Sequence, residues 1–471
     1  MESSEKNAAT AAKSTTHASV KLPVSEKIGY SFTDMAGNLL YVTITSYILY
    51  FYTDVFQISV AGAGLILLIA RVVDAISAPV WGSIVDHTHT KWGQSRPFFL
   101  WLAIPFALAT FLAFTAPNLH GNAKLIYAGV TYILAAGIIY TGIQTPITAI
   151  LPSLTSDPTE RISANTWRMA GGSIGAFITS SFALPLVAFF GKGNDKVGFM
   201  WVTAIFGVIG VIMLFYAFSH LKERTVAVTK SIPFKDSLKA TVGNKPWFIL
   251  VISFVIYWIA QSDRNGIAVY YAKYNLGNEQ LTSIFNGVGI LGLFATICIP
   301  FIVKVTNKTA TMLIGLAVGA FGQMMVAFVG NNFALVITAW IIGTLGASVA
   351  CAMPFAMLAD TVDFGEWKTG IRASGFLTAV GSAFCIQLGS GFGSFIPSKI
   401  MAAAGFIANK SQSAASLASI HFCFVWLPVI IYAIVAAIML LYFKYERNEP
   451  VVKADLDKRH AQQAAATAQE N

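Results

Sequence analysis

The sequence predicts an all-α membrane protein whose twelve transmembrane helices form two six-helix halves. Three observations carry this prediction. Of the 471 residues, 56% are hydrophobic and 11% charged, against about a quarter charged in a soluble domain, so most of the surface needs lipid as its solvent. Apolar runs of about 20 residues, the length that crosses a bilayer core, recur along almost the whole chain. Six of them precede and six follow one polar stretch at 220–245.

Bounded by charges or by Gly, Pro and Asn clusters, the first six runs fall at 28–54, 59–85, 97–116, 123–151, 168–190 and 197–219. The second six fall at 247–271, 281–303, 311–330, 332–357, 373–402 and 419–443. The start, MESSEKNAATAAKSTTHASV, has neither the apolar core nor the small-residue cleavage site of a secretory signal. Residues 1–27 are therefore expected to be a cytoplasmic tail, 220–246 a cytoplasmic linker and 444–471 a short charged cytoplasmic tail. With both termini inside, the inner loops, ends and linker hold 23 Lys and Arg and the opposite loops 6, while Arg71 and Arg264 lie within helices. This asymmetry orients a multi-pass protein in the cell membrane. The halves 28–219 and 247–443 echo each other. TPITAILPSLTSDPTERISANTWRMAGG, leaving helix four, and MPFAMLADTVDFGEWKTGIRASG, leaving helix ten, each read as a Pro near a helix end, an acidic loop and a basic residue opening the next helix. Paired six-helix halves around a midplane site are the build of rocking carriers.

Several function classes are excluded. The formal charge of +9 is spread over short loops as a topology signal, so no nucleic-acid partner is expected. All four cysteines, Cys298, Cys351, Cys385 and Cys423, sit inside apolar runs without zinc-site spacing. Neither HExxH nor a phosphate-cradling GxxxxGK[ST] is present. An enzyme, a resident metal or cofactor and an ATP-driven pump are not expected.

Ionisable groups inside a span cost at least about 2.5–3.5 kcal/mol each on insertion scales, which makes the few present candidates for function. Asp34 and Asn38 share a helix face, and Tyr41 and Thr45 extend it as a polar stripe that either lines a cavity or forms an interhelical seam. Arg71 and Asp74 stand three apart and could pair, with Ser77 one turn on. Asp74 then carries a proton, or shares a cation with Ser77. Thr141, Gln144 and Thr148 recur at i, i+3 and i+7 beside Pro146, a neutral stripe of donors and acceptors suited to sugar hydroxyls. Arg168 is expected at the start of helix five. Asp263 and Arg264 face directions about 100° apart, at least one of them toward a cavity. GSAFCIQLGSGFGSF reads as close packing, with Gln387 its one amide.

At YILYFYTDV, ARVVDAISAPVWGSIVDHTHTKWGQSRP and MLADTVDFGEWKTGIR, the chain resembles the glycoside–pentoside–hexuronide cation symporter family of the major facilitator superfamily, from Lys27 to Arg447. The resemblance implies the major facilitator fold, a small-molecule sugar substrate, alternating access and a coupling proton, sodium or lithium ion. Set against the family's melibiose branch, Asp74 falls on a cation-site carboxylate, Thr141 on a cation-site threonine and Arg168 on an arginine near the sugar. The second cation-site carboxylate is Ala78 here and the asparagine Ser77. Two sugar-binding carboxylates are Asn38 and Gln144, two sugar-contacting tryptophans are Thr148 and Cys351, and a lysine is Gln387. The wording as a whole is nearer the isoprimeverose and xyloside branch. The expectation is a secondary active sugar transporter, a monomer or weak oligomer, with H+ as coupling cation. Asp74, Ser77, Thr141 and Asp34 serve coupling; Asp34, Asn38, Tyr41, Gln144, Thr148, Arg168, Asp263, Arg264 and Gln387 serve the sugar. Sodium coupling, exchange, or a lipid-carrying relative of the same fold remain as alternatives.

Overall fold

The computed structural model of the chain describes residues 21–155, 157–224, 239, 241–330, 332–371 and 373–470. Among these residues the structure is helical throughout, with one isolated bridge between Thr90 and Gly93. Most of the expected linker and nearly all of the expected N-terminal tail lie outside them.

The first half comprises α1 (Val24–Tyr50), α2 (Val60–His87), α3 (Arg96–Trp101 with Ala103–Ala113), α4 (Asn122–Ala149), α5 (Pro158–Gly191) and α6 (Asp195–His220). The second comprises α7 (Lys245–Tyr270), α8 (Leu281–Gly287 with Leu291–Val305), α9 (Lys308–Phe328), α10 (Phe333–Thr369), α11 (Phe376–Ala403) and α12 (Ala414–Glu446). Nine of these are single helices long and apolar enough to cross a membrane, and the bent α8 makes a tenth. The other two are α1, diluted by its polar stripe, and α3, interrupted at Leu102.

Each half repeats one device at its end. Glu223, after α6, accepts the backbone N–H groups of Gln94, Ser95 and Arg96 at 2.8–2.9 Å and so caps α3. Glu446, at the end of α12, accepts those of Lys308 and Thr309 and caps α9. Both glutamates complement the positive end of a helix dipole, and both stand in a Glu-Arg dipeptide. The halves meet where α1 packs on α7, α2 on α11 and α5 on α8. Within the first half, α5 lies so close to α1 that a Cβ on Gly171 would collide with Ser31 Oγ and one on Gly175 would meet the Met35 carbonyl at 2.6 Å.

Two sequence expectations are corrected, and one is given a structure. Helix five begins at Pro158 rather than 168, which places Arg168 almost three turns inside it. The acidic segment after Pro354 is no loop: α10 continues through Asp360, Asp363 and Glu366 to Thr369 and stops at Gly370, whose φ of 73° needs no Cβ. The charged C-terminal tail is a helix, α13 (Glu449–Glu470), that lies on α10. Trp367 Nε1 donates to Asp455 at 3.2 Å, Arg459 donates to the Trp367 carbonyl at 3.1 Å, and Lys308 bridges Asp360 (2.6 Å) and Glu449 (2.9 Å).

Candidate functional site

The polar stripe of α1 is split among three neighbourhoods. In the first, Arg168 on α5 donates to the Asp34 carboxylate at 2.9 Å and holds Asn165 Oδ1 at 3.0 Å with its Nε. Asn38 turns its amide onto the Asp34 carbonyl (2.9 Å) and Oδ1 (3.3 Å), and Gln144 of α4 lies near the Asp34 side chain. Gly172 makes room for this cluster, since a Cβ there would meet Asp34 Oδ2 at 2.8 Å. The result is one ion pair between α1 and α5, partly open to solvent and ringed by amides, with donors and acceptors in the pattern that polyols use.

The second neighbourhood surrounds Asp74, 2% exposed on α2. Thr141 donates to its Oδ1, while Oδ2 has no hydrogen-bond partner and Arg71 Nη1 stands 3.9 Å away. Arg71 is committed elsewhere: the same Nη1 donates to Tyr41 Oη at 2.5 Å and, across the two halves, to Gln387 Oε1 at 2.8 Å. Tyr41 is itself stacked on Tyr140 with centroids 3.9 Å apart. Gly391 of α11 lets this arginine through, since a Cβ there would meet its stem at 3.0 Å. Ser77 turns its hydroxyl to the backbone carbonyls of Gly137 (2.5 Å) and Asp74 (3.0 Å), away from the carboxylate. Asp74 is thus a buried carboxyl with one hydroxyl donor and one distant cation, an arrangement that can hold a proton.

The third neighbourhood is a cavity of about 310 Å³ between the halves, at the small end of the ~300–1,000 Å³ range of small-molecule sites. The first half contributes Thr45, Ser46, Ser173 and Ser180, the second Gln261, Arg264, Asn265, Asn286, Trp340 and Thr344. Arg264 donates to Thr344 Oγ1 at 3.2 Å and lies 4.3 Å over the Trp340 ring. An aromatic face beside hydroxyls, amides and a guanidinium offers both the apolar and the polar contact that a pyranose presents.

Several expected residues lie elsewhere. Thr148 is exposed and bonds the Thr145 carbonyl, because it sits one turn beyond Gln144 at the end of α4. Asp263 is fully buried and, unlike Arg264, does not line the cavity. Gln387 is on α11 but serves as the acceptor for Arg71. The reading from sequence missed most of the cavity, although its signal was present as two helical stripes, Ser173, Phe177 and Ser180 on α5 and Gln261, Arg264 and Asn265 on α7.

It also missed a bonded cluster that joins the two halves at the ends of α1 and α7. The end of α1, Phe51–Val55, and the end of α7, Tyr271–Asn275, are each a π-helical turn. Between them Lys273 Nζ donates to Asp54 Oδ1 (2.9 Å), Tyr50 Oη (3.1 Å) and Asn409 Oδ1 (3.0 Å). Tyr274 donates to Asp54 Oδ1, Asn409 donates to the Asp54 carbonyl, Tyr50 donates to Glu279 at 2.6 Å, and Thr53 shares a 2.7 Å bond with Tyr270.

Comparison with known proteins supplies the family. The sugar-transport model of the major facilitator superfamily, described as MFS/sugar transport protein, matches residues 29–447. The isoprimeverose transporter of Lactiplantibacillus pentosus is 41% identical over 469 residues, covering 98% of this chain and 97% of its own. The inner membrane symporter YicJ of Escherichia coli K12 is 32% identical over 430 residues, covering 90% and 92%. Among solved structures, a D-xylose-proton symporter superposes with a TM-score of 0.64 at 13% identity, over 88% of this chain and 97% of that one, a likeness of fold alone. Twelve helices in two halves, a polar cavity between them and a match across nearly the whole length lead to one conclusion: the chain belongs to the MFS/sugar transport protein family.

Proposed function

We propose that this protein is a proton-coupled symporter of a glycoside, of the isoprimeverose type of xyloside, taken into the cell by alternating access. The observation that carries the reading is the pairing of a polar cavity between the halves, floored by Trp340 and Arg264, with a buried carboxyl at Asp74 that has one unpartnered oxygen. Likeness to the isoprimeverose transporter over 98% of the chain supports the substrate class. A lipid cargo fits the lining less well, because its hydroxyls, amides and guanidinium would be left without partners. A proton suits Asp74 better than sodium, since Ser77 turns to the backbone and Ala78 brings no second carboxylate. Asn38 and Asn165 hold Asp34 and Arg168 in register for the sugar. The cavity is complete within one chain, so the monomer is the working unit. With both termini cytoplasmic, as the distribution of Lys and Arg indicates, the bonded cluster at Asp54 and Lys273 closes the outer face.

Uptake of labelled xylosides, including isoprimeverose, into vesicles tests this. A pH gradient should drive accumulation and a protonophore should abolish it. Accumulation driven by a sodium gradient at fixed pH would refute proton coupling. Transport of labelled lysolipid in place of sugar would refute the substrate class.

A further inference from the structure

Beyond Asp74, a second carboxyl sits inside the other half. Asp263 of α7 is 0% exposed, and neither of its oxygens has a hydrogen-bond partner. It lies where α11 presses on α7: a Cβ on Gly393 would meet the Asp263 nitrogen at 3.2 Å, and Ser262 alongside donates to the Ser390 carbonyl. The charged or titratable groups facing it are Arg264 on its own helix and Cys423 and Tyr432 on α12. Cysteine and tyrosine are ordinarily neutral at physiological pH. The Arg264 guanidinium makes no bonded pair with it: Nη2 donates to Thr344 and Nη1 to Tyr432, Nε has no partner, and the plane covers Trp340.

A fully buried carboxylate ion without a protein donor is among the most costly groups a protein can hold, whereas a carboxylic acid in the same place forfeits far less. We propose that Asp263 is a second proton-binding site of this carrier: it holds its proton as a neutral acid in the conformation described here, and exchanges it when α7 moves. The inference rests on the reading of the chain as a proton symporter and deepens it by adding one coupled proton. The step is a simple association, in which a carboxylate oxygen takes up H+ and no other bond changes. The movement that brings Asp263 into reach of water or of Arg264 is the one that empties the cavity, because Gln261, Arg264 and Asn265 of the same helix line it. Two carboxyls, one in each half, then load together and tie the proton to the relative position of the halves.

Two measurements on the full-length protein in lipid vesicles test the proposal. The first is the infrared carbonyl band of a protonated carboxyl at neutral pH, compared between wild type and Asp263→Asn, whose amide copies the neutral acid in size. The expected result is a band that disappears in the variant; an unchanged band overturns the proposal. Where Asp263→Asn does not fold, Asp263→Glu should move the band, and an unmoved band overturns it equally. The second is the proton-to-sugar ratio, read from the sugar gradient that a known pH gradient sustains. With two coupled protons, a one-unit gradient sustains about 100-fold accumulation, and with one about 10-fold. Asp263→Asn should therefore lower the limit about tenfold while keeping downhill exchange. An equal ratio in wild type and variant overturns the coupled role. The infrared band needs no transport, so a wild type that fails to accumulate sugar would refute the symporter reading while the band still decides the proton.

Discussion

Lys273→Met should unlock the side of the carrier away from the termini. The lysine side chain is 22% exposed and the Asp54 side chain 1%, so the ion pair is nearly dry at the carboxylate and open at the ammonium. Removing one partner of a fully buried pair costs about 3–5 kcal/mol. Tyr274 and Thr53 still donate to Asp54 after the change, and the lysine is partly solvated, which lowers the expected cost to about 2–3 kcal/mol. The closed conformation would then lose about 30- to 150-fold in population against the open one. A cysteine placed at Ser46, which lines the cavity, should react faster by up to that factor with an impermeant maleimide added from that side. Methionine keeps the length of the side chain and removes the ammonium, and with it the 4.7 Å contact of Nζ over the Tyr50 ring. A second substitution, Asp54→Asn, removes the stranded charge and should return part of the closure. A labelling rate unchanged in a well-folded Lys273→Met protein would refute the assignment of this cluster as the closure.

The other predictions concern the two halves of the coupling and the C-terminal helix. Asp74→Asn should lose accumulation while sugar affinity and downhill exchange persist, since an amide has no proton to exchange; equal loss of affinity measured on purified protein would defeat the division of roles. Arg168→Gln should weaken sugar binding by roughly 10- to 150-fold, the worth of a charged hydrogen bond at about 1.5–3 kcal/mol, and unchanged calorimetric affinity would return Arg168 to a structural role. Asp34→Asn should reduce affinity with the protein still inserted, and normal accumulation would make the α1 stripe a packing seam. Burial works against the charged form of Glu449, but Lys453 and Lys308 outweigh it and hold its carboxyl below the ordinary value. A depressed carboxyl stabilises contact above its unfolded value and loses that contribution as pH falls through the folded one. The α13 contact on α10 should therefore hold at neutral pH and weaken below about pH 4, read by proteolysis of α13; release on going from pH 7 to pH 5 would contradict the sign.

The sequence showed the spans because bilayer thickness imposes a length that only apolar runs meet, and eleven of the twelve helices start within about five residues of the expected positions. It failed at helix ends. The segment around Asp360 reads as a loop because its charges break the apolar pattern, yet Lys308 and Lys453 pair with Asp360 and the helix persists. Of the site, Asp34, Arg168, Asp74 and Thr141 were legible, because charge or polarity within an apolar run is visible without coordinates. Thr148 was misplaced because a stripe fixes a face and not the depth at which a helix leaves the core. The cavity was harder to read, since serines, asparagines and a tryptophan also occur in ordinary packing and acquire meaning only when α5 and α7 face each other. Arg71 shows the same limit in part: it does stand within ion-pair distance of Asp74, at 3.9 Å, as spacing favoured, but its hydrogen bonds run to Tyr41 and to Gln387, the latter 316 positions away.

The closure at Asp54 and Lys273 grows out of the internal repeat. The first helix of each half ends in a π-helical turn of five residues, FYTDV in one and YAKYN in the other. Such a turn adds a residue to the helix and swings the succeeding side chains by roughly 100°, so both chains turn their third and fourth positions out of line with the helix face that precedes them. Those positions are Thr53 and Asp54 in α1 and Lys273 and Tyr274 in α7, and they are the residues that meet. Asp54, the fourth residue of its turn, meets Lys273 and Tyr274, the third and fourth of the other, and Asn409 completes its bonds. The pair is made only where the two helix ends converge, so its energy belongs to one conformation and biases the rocking of the halves. Its strength must stay near that of a single partly exposed pair, because a closure much stronger than sugar binding would hold the carrier shut.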